Sequence, residues 1–270
     1  MHSAPIRTPS KLTLEQHLKD EIFKNRHPFP FGLSHTTHPE TIFTGIREVD
    51  QLSKGFPRGR ITEIVGPNSS GRTSLLLSTL AQITDKEEVC ALIDPAGIFD
   101  PASAAHIGVD LERLLWIRTP KPNIDQTLKA TDLLIQGGGF GLIGVDFGEF
   151  SRDEICRVPP SAWFRLQRGV RNTPTILIFI GRKASTRTSA SLVLGLELNR
   201  THWTPCLFDG VCPQVEILRS RINPGINWNR TRQRFFIHPA HFQAIAHNPA
   251  KIFPSKNKGS NIEGVPCHEF

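Results

Sequence analysis

The stretch that most constrains this chain is Gly66-Pro67-Asn68-Ser69-Ser70-Gly71-Arg72-Thr73. It follows the apolar run Ile61-Thr62-Glu63-Ile64-Val65 and precedes a helical pattern from Thr73 to Ile83. Strand, glycine-bounded loop and helix together are the context that a phosphate-binding loop requires. The spacing is G-x-x-x-x-G followed by a cation and a hydroxyl. Glycines let backbone N–H groups turn towards one centre, and the helix N-terminus adds partial positive charge. On this reading Gly66, Pro67, Asn68, Ser69, Ser70, Gly71, Arg72, Thr73 and Ser74 form a nucleotide cradle. The Thr73 hydroxyl stands where such loops hold Mg²⁺ through the nucleotide. One residue departs from the pattern: Arg72 occupies the usual lysine position. The plainer alternative is a Gly/Ser-rich turn ahead of a helix, and folding as a P-loop is a separate matter from binding nucleotide.

With 270 residues the chain has room for one large domain, or one domain with appendages. No apolar run approaches a membrane span, and the N-terminus has no secretory apolar region. The five cysteines, Cys90, Cys156, Cys206, Cys212 and Cys267, are odd in number and scattered, so a disulfide framework is not expected. A cytoplasmic protein with no membrane partner is the expectation. The net charge of +7 is unevenly placed. From Ile217 to Ile262 stand eight basic residues and no acid: Arg219, Arg221, Arg230, Arg232, Arg234, Lys251, Lys256 and Lys258. The rest of the chain is close to neutral. A basic end on a neutral body points to an anionic partner, nucleic acid first, or else to a tail kept soluble by charge. Alternation of Arg230, Arg232 and Arg234 would put three guanidinium groups on one side of an extended strand. Arg165, Arg168, Arg171, Arg182, Lys183 and Arg187 form a rival basic surface within an acid-free stretch from Ile155 to Leu196.

In chain order, Met1 to Pro9 is expected to be disordered. Lys11 to Lys24 reads as an amphipathic helix with Leu12, Leu14, Leu18, Ile22 and Phe23 near one face, a candidate for self-association. His27 to Glu40 is a Pro/His-rich linker. Past the P-loop helix, Val89 to Asp94 reads as a buried strand ending in a carboxylate, followed by a short helix from Pro101 to Ile107. Leu114 to Arg118 is a strand and Ile124 to Gln136 a helix. Leu142-Ile143-Gly144-Val145-Asp146 is an apolar strand whose terminal Asp146 could hold Mg²⁺ through water, or simply start a polar turn. Pro159 to Arg171 is a helix and Thr175 to Ile180 a strand. Leu192 to Leu198 and Val215 to Leu218 read as antiparallel strands joined through a Phe208-Asp209-Gly210 turn. A short strand is expected near Phe235 to His238, and disorder over most of the chain beyond Pro224. Strands alternating with helices predict an α/β fold: a mostly parallel central sheet flanked by helices, with antiparallel strands at one edge. The division expected is 1–40, N-terminal helix and linker; 41–222, core; 223–270, basic tail.

At this point the residues resemble the bacterial RecA recombinase core. Thr44-Gly45, Val49-Asp50, Gly59 to Pro67, Ser69-Ser70-Gly71, Ile93-Asp94, Asp100-Pro101-Ala102, Ile107 to Asp110, Leu114-Leu115 and Val145-Asp146 carry the likeness, in order. The resemblance implies a RecA-like P-loop NTPase core with ATP and Mg²⁺ as cofactors, DNA as partner, and self-association. The departures are equally specific. The family's water-activating glutamate position is Ala96, and its long glycine-rich second DNA-binding loop is reduced after Ile180 to about nine residues. The glutamine that couples nucleotide to DNA in that loop has no counterpart, and the folded C-terminal domain is replaced by the basic tail. These losses resemble ImuA-type relatives, associated with translesion mutagenesis alongside polymerase partners.

Phosphoryl transfer to water needs an orienting group, a cation on the phosphates and Mg²⁺ ligands. Arg72 keeps the charge but not the compact ammonium. Ala96 cannot orient water, and Glu63, Asp94 and Glu149 are the remaining carboxylates that could substitute. Nucleotide binding with weak or absent hydrolysis is the expectation, in a RecA-like accessory protein of DNA repair or damage-induced mutagenesis. An active DNA-dependent ATPase recombinase and a non-enzymatic scaffold of division or signalling are the alternatives. The DNA-contact candidates are Arg219, Arg221, Arg230, Arg232, Arg234, Arg182 and Lys183. His202, Cys206 and Cys212 lack the spacing of a structural zinc site. Trp203 and Trp228 are candidates for base stacking or for the core.

Overall fold

A computed structural model describes residues 40–119, 121–204, 207–222 and 232–235. The expected N-terminal helix, the linker and nearly all of the basic tail lie outside the described residues. An eight-stranded sheet organises the rest. The P-loop strand β3 (Ile61–Val65) sits within it, flanked by β7 (Ile176–Gly181) and β8 (Leu192–Thr204). Beyond β7 come β6 (Leu142–Asp146), β4 (Cys90–Asp94) and the edge strand β5 (Leu114–Arg118). Beyond β8 come β9 (Leu207–Ser220) and β10 (Arg232–Arg234). All pairings from β5 across to β8 are parallel; β8–β9 and β9–β10 are antiparallel. A separate two-stranded ribbon, β1 (Thr41–Ile42) with β2 (Phe56–Pro57), precedes the sheet.

Helices cover both faces, because the central strands are apolar on both. Ile64, Ile178, Ile180, Leu192 and Leu194 pack with α1 (Arg47–Ser53), the P-loop helix α2 (Arg72–Thr84) and α3 (Pro101–Ile107). Ile61, Val65, Val145, Leu177 and Phe179 pack with α4 (Ile124–Gly137) and α6 (Pro160–Val170), joined by the short α5 (Arg152–Arg157). On α6 the expected stripe holds: Trp163, Leu166 and Val170 are buried, while Arg165, Arg168 and Arg171 face solvent.

Three expectations are corrected. Phe208, Asp209 and Gly210 are not a turn; they lie in β9, registered against Trp203 and His202. The register instead continues to Thr204↔Leu207 and extends both strands well past the apolar residues that marked them. The last strand among the described residues is Arg232–Arg234, just ahead of the expected Phe235 to His238, of which 236–238 lie outside the described residues: Phe235 itself is buried against the core, and its N–H donates to the Pro213 carbonyl at 3.1 Å. Apolar content marked the residue that anchors the strand, not the residues that pair. The division at 222/223 is therefore crossed by a segment that joins the sheet.

Candidate functional site

The P-loop lies where β3 passes into α2. Gly66 donates to the Gly181 carbonyl at 3.1 Å, tying the loop to β7. A Cβ at Gly66 would collide with the Leu196 carbonyl oxygen of β8 and with Ser70 Oγ, so only glycine fits beneath the loop. Ser69 and Gly71 take left-handed backbone, φ 61° and 89°, which folds the loop back on itself. Gly71 caps α2 without any side-chain acceptor, leaving first-turn N–H groups free. Within the cradle, Ser70 Oγ and Arg72 Nη1 are buried and have no hydrogen-bond partner. Pro67, Asn68, Ser69 and Thr73 are exposed; Ser74 is half-buried.

Asp146 ends β6 beside the loop. Its Oδ1 accepts from the Gly148 N–H at 2.6 Å. Burial pushes this carboxyl above the usual range, against the opposing pull of the Gly148 N–H and the Arg72 guanidinium; Asp94 and Glu149 push it further up. Arg72 is in turn lowered by burial and by Arg182, while Asp146 and Glu149 hold its proton on. Arg72 Nη2 lies 3.4 Å from Asn68 Oδ1. Arg182 lies 3.6 Å from Glu149. The set expected to hold Mg²⁺, Thr73 with Asp146, does not fit that ion well: one Asp146 oxygen is engaged by backbone, and a guanidinium stands beside it.

Two of the three carboxylates left for water activation are already committed. Asp94, buried at the end of β4, accepts from the N–H groups of Gly97, Ile98 and Phe99 at 2.9, 3.2 and 2.9 Å, and from Trp116 Nε1 at 3.3 Å. It orders the loop that carries Ala96. Glu63, buried in mid-strand, accepts from Ser185 N and Oγ at 2.5 and 2.6 Å and from Thr186 N and Oγ1 at 3.2 and 2.6 Å. That fastens the connection 182–191 to β3. Glu149 is exposed beside Arg182. A carboxylate inside an apolar strand signals a required partner; which residues supply it was not readable.

The basic candidates regroup. Arg219 and Arg221 belong to β9 and its end, not to a tail. Arg221 Nη1 donates to the Thr188 carbonyl at 2.7 Å, on the connection that also carries exposed Arg182, Lys183 and Arg187. Burial lowers Arg219, and Arg221 lowers it further, with Glu63 opposing. Its Nε and Nη2 are buried without partners. Arg232 is registered opposite Glu216, an acid that the linear sequence places outside the basic stretch. Arg234 is exposed; Arg230, Lys251, Lys256, Lys258 and Trp228 lie outside the described residues, as do the side chains of His202 and Trp203.

The family model described as RecA N-terminal domain matches residues 17–150. This chain has a RecA-like recombinase core. A Protein RecA from Wigglesworthia glossinidia brevipalpis is 34% identical over 195 residues, 66% of this chain and 58% of that protein. Proteins named RecA from Brucella canis and Brucella abortus are each 42% identical over 109 residues, 40% of this chain and 30% of theirs. The chain thus spans less than two thirds of the length of these RecA relatives. The RecA-like match covers the P-loop, the Asp94 loop and Asp146, and it stops ahead of the pinned connection. Among the described residues no helix is long and apolar enough to cross a membrane.

Proposed function

We propose that this chain is a RecA-like accessory factor in DNA repair or damage-induced mutagenesis, whose P-loop takes a nucleoside triphosphate and hydrolyses it slowly or not at all. The observation that carries the reading is the commitment of Asp94 and Glu63. With Ala96 at the water-activating position, both of these buried carboxylates are engaged by loop donors. An orienting group is worth on the order of 10²–10⁴ in rate. The unpartnered Ser70 Oγ and Arg72 Nη1 support binding in the same site. ATP is the nucleotide the resemblance implies. Steady-state ATPase assays with and without single-stranded DNA test the reading. Turnover below about 0.1 per second is expected, and robust DNA-stimulated turnover above that rate overturns it.

DNA is the expected partner, held without sequence preference by cations. The grouping of Arg182, Lys183 and Arg187 with Arg219 and Arg221 supports a shared phosphate-contacting surface, to which Arg230, Arg232 and Arg234 would add. Truncating the tail is a poor test, because it removes β10 and the buried Phe235. Alanine at Arg182, Lys183 and Arg187 is the better one: it should weaken DNA binding and lower the salt slope by about 3 if all three contact phosphate. An unchanged slope moves the site to the remaining cations. The short, pinned connection after β7 and the Ala96 position support the ImuA-type likeness over a strand-exchanging recombinase. Capture of a translesion polymerase after DNA damage is the expected partner result; capture of division proteins instead would favour the scaffold alternative.

A further inference from the structure

The P-loop site carries its positive charge in an unusual place. Arg72 Nη2 reaches Asn68 Oδ1 across the loop at 3.4 Å. The same nitrogen lies 3.6 Å from where a Cβ on Gly148 would stand, and Asp146 Oδ1 lies 2.9 Å from that point. The guanidinium therefore spans the gap between the phosphate cradle and the carboxylate that ends β6. Arg72 and Asp146 stop short of a direct ion pair among the described residues. Arg72 Nη1 is buried and lacks an acceptor. So does Ser70 Oγ, on a fully buried residue of the same loop. Buried donors without acceptors are costly, and a phosphate oxygen is the acceptor this cradle lacks.

A divalent cation in the same gap would sit beside a guanidinium and repel it. It would also find Asp146 with one oxygen engaged by Gly148 N–H. A lysine ammonium is a point charge, whereas a guanidinium presents five donors in a plane and can serve a phosphate and a carboxylate at once. We propose that the Arg72 guanidinium takes the place of the divalent cation, bridging the phosphates of a bound nucleoside triphosphate to Asp146, so that binding needs no Mg²⁺. This rests on the nucleotide reading above and deepens it. Gly148 is part of the arrangement, since any side chain there would crowd the Asp146 oxygen. No bond is made or broken; the guanidinium neutralises phosphate charge.

The test is calorimetric titration of the full chain with ATP in excess EDTA and in excess MgCl₂. Affinities within about threefold of each other are expected, and a gain of about tenfold or more in Mg²⁺ overturns the inference while leaving the nucleotide reading intact. Absence of binding in both buffers removes the nucleotide reading itself, and the inference with it. Arg72→Lys should create Mg²⁺ dependence, with binding in EDTA weaker by about tenfold or more than in Mg²⁺. In Asp146→Asn the ratio between the two buffers should stay near one, because no metal is lost. A Mg²⁺-specific loss in that variant counts against the proposal even if Arg72→Lys fails to fold.

Discussion

Two regions of one strand, the middle of β3 and the loop at its C-terminal end, handle their polar groups in opposite ways. At its C-terminal end the P-loop leaves Ser70 Oγ and Arg72 Nη1 without partners. In its middle, Glu63 accepts four hydrogen bonds from Ser185 and Thr186. Open valences in a buried loop mark a place where a ligand completes the bonding. Closed valences mark a charged group committed to structure. A glutamate on the strand that leads into the P-loop would otherwise invite a catalytic role; its saturation argues that this one holds the connection 182–191 in place.

The largest expected effect breaks that closed set. Glu63→Ala leaves four donors facing an empty site and should lower unfolding free energy by roughly 3–5 kcal/mol, the range for removing one partner of a buried charged network. Urea denaturation measures it. A loss under about 1 kcal/mol would mean the connection is not held by Glu63, and the contrast along β3 would fail.

Asp50 sharpens the comparison, as a half-buried carboxylate less fully served than Glu63. It accepts from the N–H groups of Thr44 and Gly45 at 2.7 and 3.2 Å, and burial nevertheless raises its pKa from 3.8 to about 6, the two N–H groups and Thr44's hydroxyl only partly opposing. The folded state therefore binds this proton more tightly than the unfolded state. The group's contribution to stability is fully present below about pH 4 and is lost as pH rises through about 6, by roughly 2–3 kcal/mol in all. Denaturation curves of the parent and of Asp50→Asn should differ by a pH-dependent amount across that window. A constant difference between pH 4 and 7 would show that Asp50 has an ordinary carboxyl.

Gly66→Ala tests the open end. The added Cβ meets the Leu196 carbonyl and Ser70 Oγ, so backbone must move, at about 1–3 kcal/mol. ATP affinity should fall more than stability does, because the displaced loop is the cradle. Equal losses at both would make Gly66 a packing residue only. The smallest effect is expected at Arg221→Ala, which removes one exposed bond to the Thr188 carbonyl. Stability should change by about 0.5–1 kcal/mol. A larger loss of DNA affinity than of stability would place Arg221 among the phosphate contacts.

Much of this was legible in the chain. The P-loop, the two strands that end in Asp94 and Asp146, the α6 stripe and the sheet class follow from spacing and periodicity, which reflect burial over a few residues. The hairpin turn was misplaced because Phe208-Asp209-Gly210 has turn chemistry, while pairing across fourteen residues of β9 outweighs it.

By itself, then, the sequence determined most of the strands and helices, where the glycine loop falls between β3 and α2, and that Arg72 and Ala96 stand where the resemblance implies lysine and glutamate. Only the tertiary structure decided what the remaining charged groups are for. Glu63 meets Ser185 and Thr186 across more than a hundred residues, Asp94 meets Trp116, Arg221 joins the loop that carries Lys183, and Arg232 is set opposite Glu216. The physical reason is range. Side-chain periodicity is set by neighbours three or four residues away or by alternation, whereas the partner of a buried carboxylate is set by which distant segment the sheet brings over it.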